Sequence, residues 1–168
     1  AIEAVQAVKT TTVLLHGDTG TGKTRVYLEL ARKTLHAGRS VMMLTPEIAL
    51  TGQLEHIFAS QLANPVFVLH SQLTAAKRKK IWLAILESEK PVIVIGPRSA
   101  LFSPVQRPGL VILDEAHEPS YKQEQSPRYH TGRVASRLGA LTGAKIVLGT
   151  ATPSVADYHL AQRHGAVV

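Results

Sequence analysis

The sequence predicts an α/β fold in three layers, with helices on both faces of a mainly parallel central sheet. Short β-branched apolar runs alternate along the chain with stretches in which apolar residues recur at helical spacing. This alternation is typical of βαβ units, whose crossovers are right-handed and whose strands are buried on both faces. The predicted strands are residues 13–15, 41–44, 66–69, 92–95, 110–113 and 146–148, and the predicted helices are residues 23–35, 53–61, 75–88, 130–141 and 154–163.

The composition predicts a single compact domain that spans residues 1–168. The chain has 168 residues, of which 45% are hydrophobic, and this is enough to bury a full core but too little for a second large domain. It contains no cysteine, which excludes a disulfide scaffold and a thiolate metal site. The net charge of +7 favours a polyanionic partner, most simply nucleic acid, although a basic solvated surface would give the same charge.

The termini and the hydropathy pattern bear on location. No apolar run reaches membrane-spanning length, and the N-terminal residues lack the apolar core of a secretory signal. We therefore expect a cytoplasmic protein without a membrane partner. Because the chain opens on Ala1 rather than on methionine, we also expect it to be a fragment of a longer protein.

A phosphate-binding loop follows the first predicted strand. Residues 17–24 read GDTGTGKT and fit G-x-x-x-x-G-K-[ST]. Backbone N–H groups of such a loop point inward at an anion, and the helix that follows adds its positive N-terminal end. The lysine of the motif reaches the β- and γ-phosphates, and the hydroxyl after it completes a Mg²⁺ shell. The motif thus predicts binding of ATP and Mg²⁺ by Gly17, Asp18, Thr19, Gly20, Thr21, Gly22, Lys23 and Thr24.

Two adjacent carboxylates end the fifth predicted strand, where residues 114–117 read DEAH. In this position Asp114 can hold Mg²⁺, and Glu115 can orient or deprotonate the water that attacks the γ-phosphorus. Acidic pairs at strand ends are often only solvated surface. Combined with the loop in the same chain order, they predict a catalytic site formed by Lys23, Asp114 and Glu115, with His117 as a sensor of the nucleotide state.

Several strings resemble known helicase motifs. DEAH is followed, after the next predicted strand, by GTATPS from Gly149, and this pair looks like motifs II and III of superfamily 2 helicases. TPEIALTGQ from Thr45, LHSQL from Leu69, GPRSALFSP from Gly96 and SYKQEQSPRYH from Ser120 narrow the resemblance. Together with the loop string they resemble the first motor domain of the bacterial primosomal replicative helicase (PriA) family over nearly the whole chain. The resemblance implies a RecA-like P-loop NTPase domain.

The resemblance also implies a function and further site residues. It implies the ATP-binding motor domain of a 3′ to 5′ DNA helicase in primosome assembly and replication restart. The expected partners are single-stranded or forked DNA, other primosome proteins and a second motor domain in the full-length chain. Thr150 and Thr152, with His117, would couple hydrolysis to motion. The DNA contacts would be Thr45, Pro46, Arg98, Ser99, Tyr121, Lys122, Arg128 and Tyr129, of which the two tyrosines could stack on bases or simply pack beneath a surface loop.

Departures from the family pattern bear on these expectations. Arg25 and Ala116 stand where an acid is common, and Pro97 and Pro127 replace a threonine and an aromatic residue. Pro97 removes a hydroxyl and a backbone N–H from a presumed phosphate contact. Superfamily 2 motors close ATP between two such domains, so we expect this chain alone to hydrolyse ATP slowly or not at all.

Two other functions remain open from the sequence. The chain could belong to another superfamily 2 RNA or DNA helicase or translocase, which would share GKT and DEAH. It could also be a non-hydrolysing DNA-binding primosome loader, although the intact Lys23, Thr24, Asp114 and Glu115 argue against a dead site.

The densest charge is the run KRKK at residues 77–80, inside the helix predicted at 75–88. Ile81, Ile85 and Trp82 supply apolar positions of that helix, so the four cations must spread around it. We interpret the run chiefly as a solvated helix face, with an auxiliary DNA contact as the alternative.

Overall fold

The structure is a computed structural model that describes residues 1–18, 20–46 and 48–168, with only the backbone described for residues 48–50. Strands and helices alternate along these ranges, as the sequence predicts. The strands are β1 (Thr12–His16), β2 (Ser40–Leu44), β3 (Val66–Val68), β4 (Ile93–Gly96), β5 (Pro108–Leu113), β6 (Lys122–Gln123), β7 (Tyr129–His130) and β8 (Lys145–Thr150). The helices are α1 (Ile2–Ala7), α2 (Lys23–His36), α3 (Ile48–Gln61), α4 (Ala75–Leu86), α5 (Thr131–Thr142) and α6 (Val155–Arg163), with short 3-10 helices at Arg98–Phe102 and Pro119–Tyr121.

The larger sheet that the described residues form has six parallel strands in the order β1-β8-β5-β2-β4-β3. Leu15 of β1 pairs with Gly149 of β8, and Leu113 of β5 pairs with Leu148 of β8. Because the strands are parallel, their carboxyl ends meet at one edge of the sheet. The phosphate-binding loop, the GTATPS segment and the DEAH segment therefore follow three adjacent strands. This is the α/β RecA-like fold.

Two apolar clusters fill the spaces above and below the sheet. On one face, Tyr27 and Leu28 of α2 and Phe58 of α3 pack against β1, β2 and β5. On the other face, Ile85 of α4 and Ala135 of α5 pack against the opposite sides of the central strands. Central strands covered on both faces need continuous apolar runs, which is why β2 and β5 were recognisable from sequence. No helix in the described ranges is both long and apolar enough to span a bilayer.

Each predicted strand and helix is present, and the differences concern the burial of two segments and one predicted loop. Residues 66–69 were expected to be buried, but β3 is half-buried because it is the edge strand of the sheet. Trp82 was expected on the apolar side of α4, yet it is 44% exposed. The stretch at residues 118–128, expected to be a loop, carries a 3-10 helix and one strand of the β6–β7 antiparallel ribbon.

The short helix α1 was not predicted, because six residues are too few for a periodic signal. Tertiary contacts fix it instead. Val5 is fully buried against the α2 side of the core, and the Lys145 ammonium donates to the carbonyls of Val8 and Thr10 at 2.5 and 2.8 Å. Burial lowers the pKa of Lys145 below its ordinary value.

Gly139 in α5 gives a test of this packing. Replacing glycine by alanine in a helix ordinarily stabilises a protein by about 0.5–1 kcal/mol. A Cβ at Gly139 would lie 2.6 Å from Thr11 Cγ2 and 2.7 Å from the carbonyl oxygen of Ala144. We expect Gly139→Ala to lower the free energy of unfolding by about 1–3 kcal/mol in urea denaturation. The reason is that the Ala144 carbonyl belongs to the backbone and cannot move aside without straining the chain.

Gly52 in α3 is the matched control for this prediction. A Cβ there would meet no atom within 4 Å, so Gly52→Ala should keep the ordinary stabilisation. If both variants were stabilised equally, the close packing of α5 on β8 would be wrong.

Candidate nucleotide and nucleic-acid site

The phosphate-binding loop is built on backbone conformations that favour glycine. Gly20 and Gly22 have φ of 82° and 88°, and Gly22 is the residue before α2 begins. Lys23, the first residue of α2, turns its ammonium back into the loop, where it donates to the carbonyls of Gly17 at 2.8 Å and Asp18 at 3.2 Å. The cation is thereby held inside the curve of the loop. The predicted phosphate ligand Thr19 lies outside the described residues.

The two carboxylates of DEAH face this cation. Asp114 directly follows β5, and its N–H donates to the carbonyl of Leu44 at the end of β2. Glu115 has φ of 46°, a left-handed conformation that turns the chain sharply after the strand. Its Oε1 lies 3.7 Å from the Lys23 ammonium, whose side chain is only 10% exposed. The structure thus brings together the three residues that the sequence proposed as catalytic.

Tyr27, one turn into α2, is a site residue that the sequence analysis missed. Its side chain is fully buried, and its hydroxyl donates to Asp114 Oδ1 at 2.9 Å. The phenol lies against Gly149, where a Cβ would stand 1.7 Å from the Tyr27 hydroxyl. One signal was available in the sequence: Tyr27 lies four residues after Lys23 and so on the same helix face.

Burial has the largest effect on the pKa of the Asp114 carboxyl group. Burial raises the pKa of the Asp114 carboxyl above its ordinary value, and neighbouring Glu115 adds to the rise. The Tyr27 hydrogen bond and the Lys23 charge oppose it, because both favour the ionised form. Burial likewise raises the pKa of Tyr27, helped by the charge of Asp114, so the phenol remains a hydrogen-bond donor throughout the physiological range.

The three predicted coupling residues lie in one hydrogen-bonded chain. His117 Nδ1 and the Thr150 hydroxyl share a hydrogen bond of 2.8 Å. The Thr150 hydroxyl also accepts the Thr152 N–H at 3.1 Å, and His117 Nδ1 lies 3.5 Å from Glu115 Oε2. The end of β8 is therefore connected to the Glu115 carboxylate through the side chains of Thr150 and His117.

Residues 1–160 match the DEAD/DEAH box helicase family. The chain belongs to that family. Its sequence is similar to the replication restart protein PriA of Synechocystis sp., with 46% identity over 153 residues that cover 90% of this chain and 18% of the relative. It is 42% identical to PriA of Treponema pallidum over 168 residues, covering 99% of this chain and 25% of the relative.

Solved helicase structures share the fold. The Hef helicase domain of Pyrococcus furiosus superposes with a TM-score of 0.69 at 20% identity, covering 97% of this chain and 36% of that one. The DUF1998 helicase MrfA bound to DNA and AMPPNP superposes with a TM-score of 0.65 at 19% identity, covering 99% and 26%. The chain spans about a quarter or less of the curated relatives named above.

The predicted DNA contacts of this helicase domain differ in how exposed they are. Ser99, Lys122 and Arg128 are exposed and so accessible to a ligand, while Lys122 pairs with Glu124 at 3.1 Å and Arg128 Nε donates to the Glu124 carbonyl at 3.0 Å. Pro46 is half-buried, and Thr45 is 1% exposed with a hydroxyl that has no hydrogen-bond partner among the described residues. The next residue of that string, Glu47, lies outside the described residues.

Arg98 links two of the predicted DNA-contact strings to each other. Its guanidinium donates to the carbonyls of Ser120 and Lys122 at 2.5 and 3.4 Å, and to the side-chain oxygen of Gln123. The residue therefore pins the β6–β7 ribbon to the 3-10 helix after β4. In this arrangement most donors of Arg98 are engaged within the protein.

Tyr121 corrects one expectation. It was predicted as a base-stacking residue, but it is 1% exposed, and its hydroxyl lies 2.9 and 2.7 Å from the carbonyls of Leu44 and Asp114. A buried ring cannot stack on a base, so its alternative, packing beneath the loop, is the one observed. Tyr129 is half-buried and meets the exposed Phe102 edge to face, with ring centroids 5.3 Å apart. The sequence analysis did not single out Phe102.

Asp114→Asn tests the cost of the buried acid. A folded-state pKa above the unfolded one means that ionisation destabilises the fold, and this penalty grows as pH rises through the folded-state pKa. Below the unfolded-state pKa the acid is neutral in both states. We therefore expect Asp114→Asn to raise the free energy of unfolding at about pH 7.5 and to lose this advantage near about pH 3.5, measured by urea denaturation. An advantage that is independent of pH would contradict this account.

The contact between Tyr27 and Gly149 gives a double-mutant test. We expect Gly149→Ala to cost about 2–4 kcal/mol, because the new Cβ displaces the phenol and breaks its hydrogen bond to Asp114. Tyr27→Phe removes the oxygen, which makes the shortest contact at 1.7 Å, and leaves the milder contact with the ring carbon Cζ at 2.8 Å. The double variant should therefore cost less than the sum of the two single variants in urea denaturation. Simple additivity would show that the two residues do not share this contact.

Proposed function

We propose that this chain is the ATP-binding motor domain of a 3′ to 5′ DNA helicase that acts in primosome assembly and replication restart. The observation that carries the ATPase part is the approach of the Lys23 ammonium to Glu115 Oε1 at 3.7 Å, which places loop cation and strand acid in one site. The replication part rests on 46% identity to a replication restart protein over 90% of this chain.

The donor set fits ATP with Mg²⁺. The loop offers glycine backbone at positive φ and a buried ammonium, which suits a polyphosphate. Thr24 at the start of α2 and Asp114 supply oxygen atoms, the ligands that Mg²⁺ prefers. These two residues would hold the ion, which, when bound, neutralises charge that develops on the phosphates.

Each residue of the candidate site has a distinct role in this proposal. Lys23 donates to phosphate oxygens in place of the carbonyls that it now contacts. Tyr27 holds the Asp114 carboxylate in one orientation across Gly149. Glu115 accepts a proton from the attacking water. His117 transmits a change in the position of the Glu115 carboxylate to Thr150 at the end of β8.

The remaining expectations extend the proposal beyond the described domain. We expect a second motor domain to complete the nucleotide site, other primosome proteins and single-stranded or forked DNA to be partners, and the cytoplasm to be the location. The exposed Ser99, Lys122 and Arg128 are the residues here that would contact DNA phosphates. Turnover by this chain alone is expected to be slow.

Lys23→Ala and Glu115→Gln separate nucleotide binding from hydrolysis. Lys23→Ala should weaken binding of Mg–ATP by about 10- to 100-fold, because a charge-assisted hydrogen bond is worth about 1.5–3 kcal/mol. Glu115→Gln should bind within about two-fold of the parent yet lose the slow turnover, since an amide cannot take the proton. Isothermal titration and single-turnover hydrolysis with radiolabelled ATP measure the two effects.

The same hydrolysis assay, with nucleic acid added, measures whether DNA or RNA stimulates ATP turnover more. Single-stranded DNA should raise the turnover more than RNA of the same sequence does. Unchanged affinity in Lys23→Ala would refute the nucleotide site, and a preference for RNA would refute the DNA assignment while leaving the ATPase intact.

A further inference from the structure

We propose that one side of α4 is a base-stacking platform for single-stranded DNA, formed by Leu73, Ala75, Arg78, Lys79 and Trp82. These five residues line an open concavity at the start of α4. The α4 platform rests on the proposed function, since it supposes that the domain binds DNA. Arg78 and Lys79 belong to the KRKK run, for which the sequence left an auxiliary DNA contact open, whereas Leu73, Ala75 and Trp82 belong to no predicted DNA contact.

Helix geometry explains why the aromatic ring is outside. Ile85 is 1% exposed, and Ile81, one turn earlier, packs against the same apolar cluster, so these two residues fix the inward face of α4. Trp82 comes one residue after Ile81 and is rotated by about 100° around the helix. It is therefore left at the side, 44% exposed.

Two cations flank this ring. Arg78 and Lys79 precede Trp82 by four and three residues, the spacings that bring side chains together on a helix surface. The other two residues of the run, Lys77 and Lys80, do not line the concavity. The helix thus places an arginine and a lysine one turn before the aromatic ring, with two further cations on other sides of the helix.

The charge of this surface is uncompensated within the described part of the chain. All four cations of the run are exposed, and the ion pairs between described residues involve none of them. Leu86, one turn after Trp82, is 40% exposed, so this surface also carries apolar area, but the four cations at residues 77–80 favour a polyanion. A nucleic acid is a polyanion that also offers aromatic faces. A base supplies the π-face, and the adjacent phosphates supply the anions.

The position of α4 supports the same partner. The strands β2, β4 and β3 are neighbours in that order, and Thr45, Pro97 and His70 lie just after their carboxyl ends. The Arg78 guanidinium reaches back to the carbonyl of His70 at 3.5 Å, so the platform begins where the β3 end stops. A single strand that crosses the predicted contacts after β2 and β4 would continue onto α4.

The platform can bind single-stranded but not double-stranded DNA, because only an unstacked base can lie on the Trp82 ring. Bases in a duplex are stacked on their neighbours and cannot lie on an external ring, whereas those of a single strand can. The proposal therefore commits to single-stranded DNA, with the bases held by Trp82 and the backbone by Arg78 and Lys79.

Trp82 is the only tryptophan in the sequence, so its emission reports on the platform directly. We expect a thymidine oligonucleotide of about 12 residues to quench this emission, whereas an abasic oligonucleotide of equal length binds by charge without quenching. Anisotropy of a labelled oligonucleotide measures binding independently. Trp82→Ala should weaken it by about 5- to 100-fold, and Trp82→Phe should keep most of the affinity.

Lys80→Ala is the matched control for Arg78→Ala and Lys79→Ala, since it removes the same charge from the same helix outside the platform. We expect each platform variant to lower the affinity several-fold and to reduce the salt dependence by about one counterion, and the control to have a smaller effect. Circular dichroism verifies that each of these exposed-site variants is folded.

Two results would overturn the proposal in distinguishable ways. If the oligonucleotide binds by anisotropy while Trp82 emission and the Trp82→Ala affinity stay unchanged, the platform serves another partner, such as a protein, and the proposed function stands. If no oligonucleotide binds at low salt, the DNA assignment of the domain fails together with the platform.

Discussion

The hydrogen bond from Tyr27 to Asp114 is the contact around which the nucleotide site is arranged. It joins the helix after the phosphate-binding loop to the strand that carries the acids. The phenol reaches the carboxylate only because residue 149 has no Cβ, and so the β8 strand takes part in the same contact. One helix and two neighbouring strands are thereby held together at the edge where phosphate chemistry would occur.

Electrostatics explains why such a contact is needed. Burial and a neighbouring carboxylate both raise the pKa of Asp114, whereas metal binding needs the ionised form. The buried phenol and the Lys23 ammonium favour that form, and they do so without exposing the acid to water. The arrangement sacrifices some stability of the apo fold in exchange for a carboxylate that is held ready in one orientation.

The same acid strand is also tied to the segment that carries several of the predicted DNA contacts. Tyr121 is buried beneath the β6–β7 ribbon, and its hydroxyl lies within hydrogen-bond distance of the carbonyls of Leu44 and Asp114. Thr131 at the start of α5 donates to the carbonyl of Tyr121, and Arg98 pins the ribbon from the other side. A displacement of the ribbon would therefore move the end of β5, and in the proposed function this connection would link DNA contact to ATP turnover.

Patterns in the sequence were enough to predict the layered fold, the order of its main elements and the two motifs, because buried parallel strands need continuous apolar runs and the loop needs glycine at fixed spacing. Tertiary structure alone decided the roles of Tyr27, Tyr121 and Trp82. One aromatic residue is much like another in a helix or loop pattern, and only packing determines which ring is buried against an acid and which is left outside. Tyr27 depends on Gly149, over a hundred residues away, and no local pattern can contain such a contact.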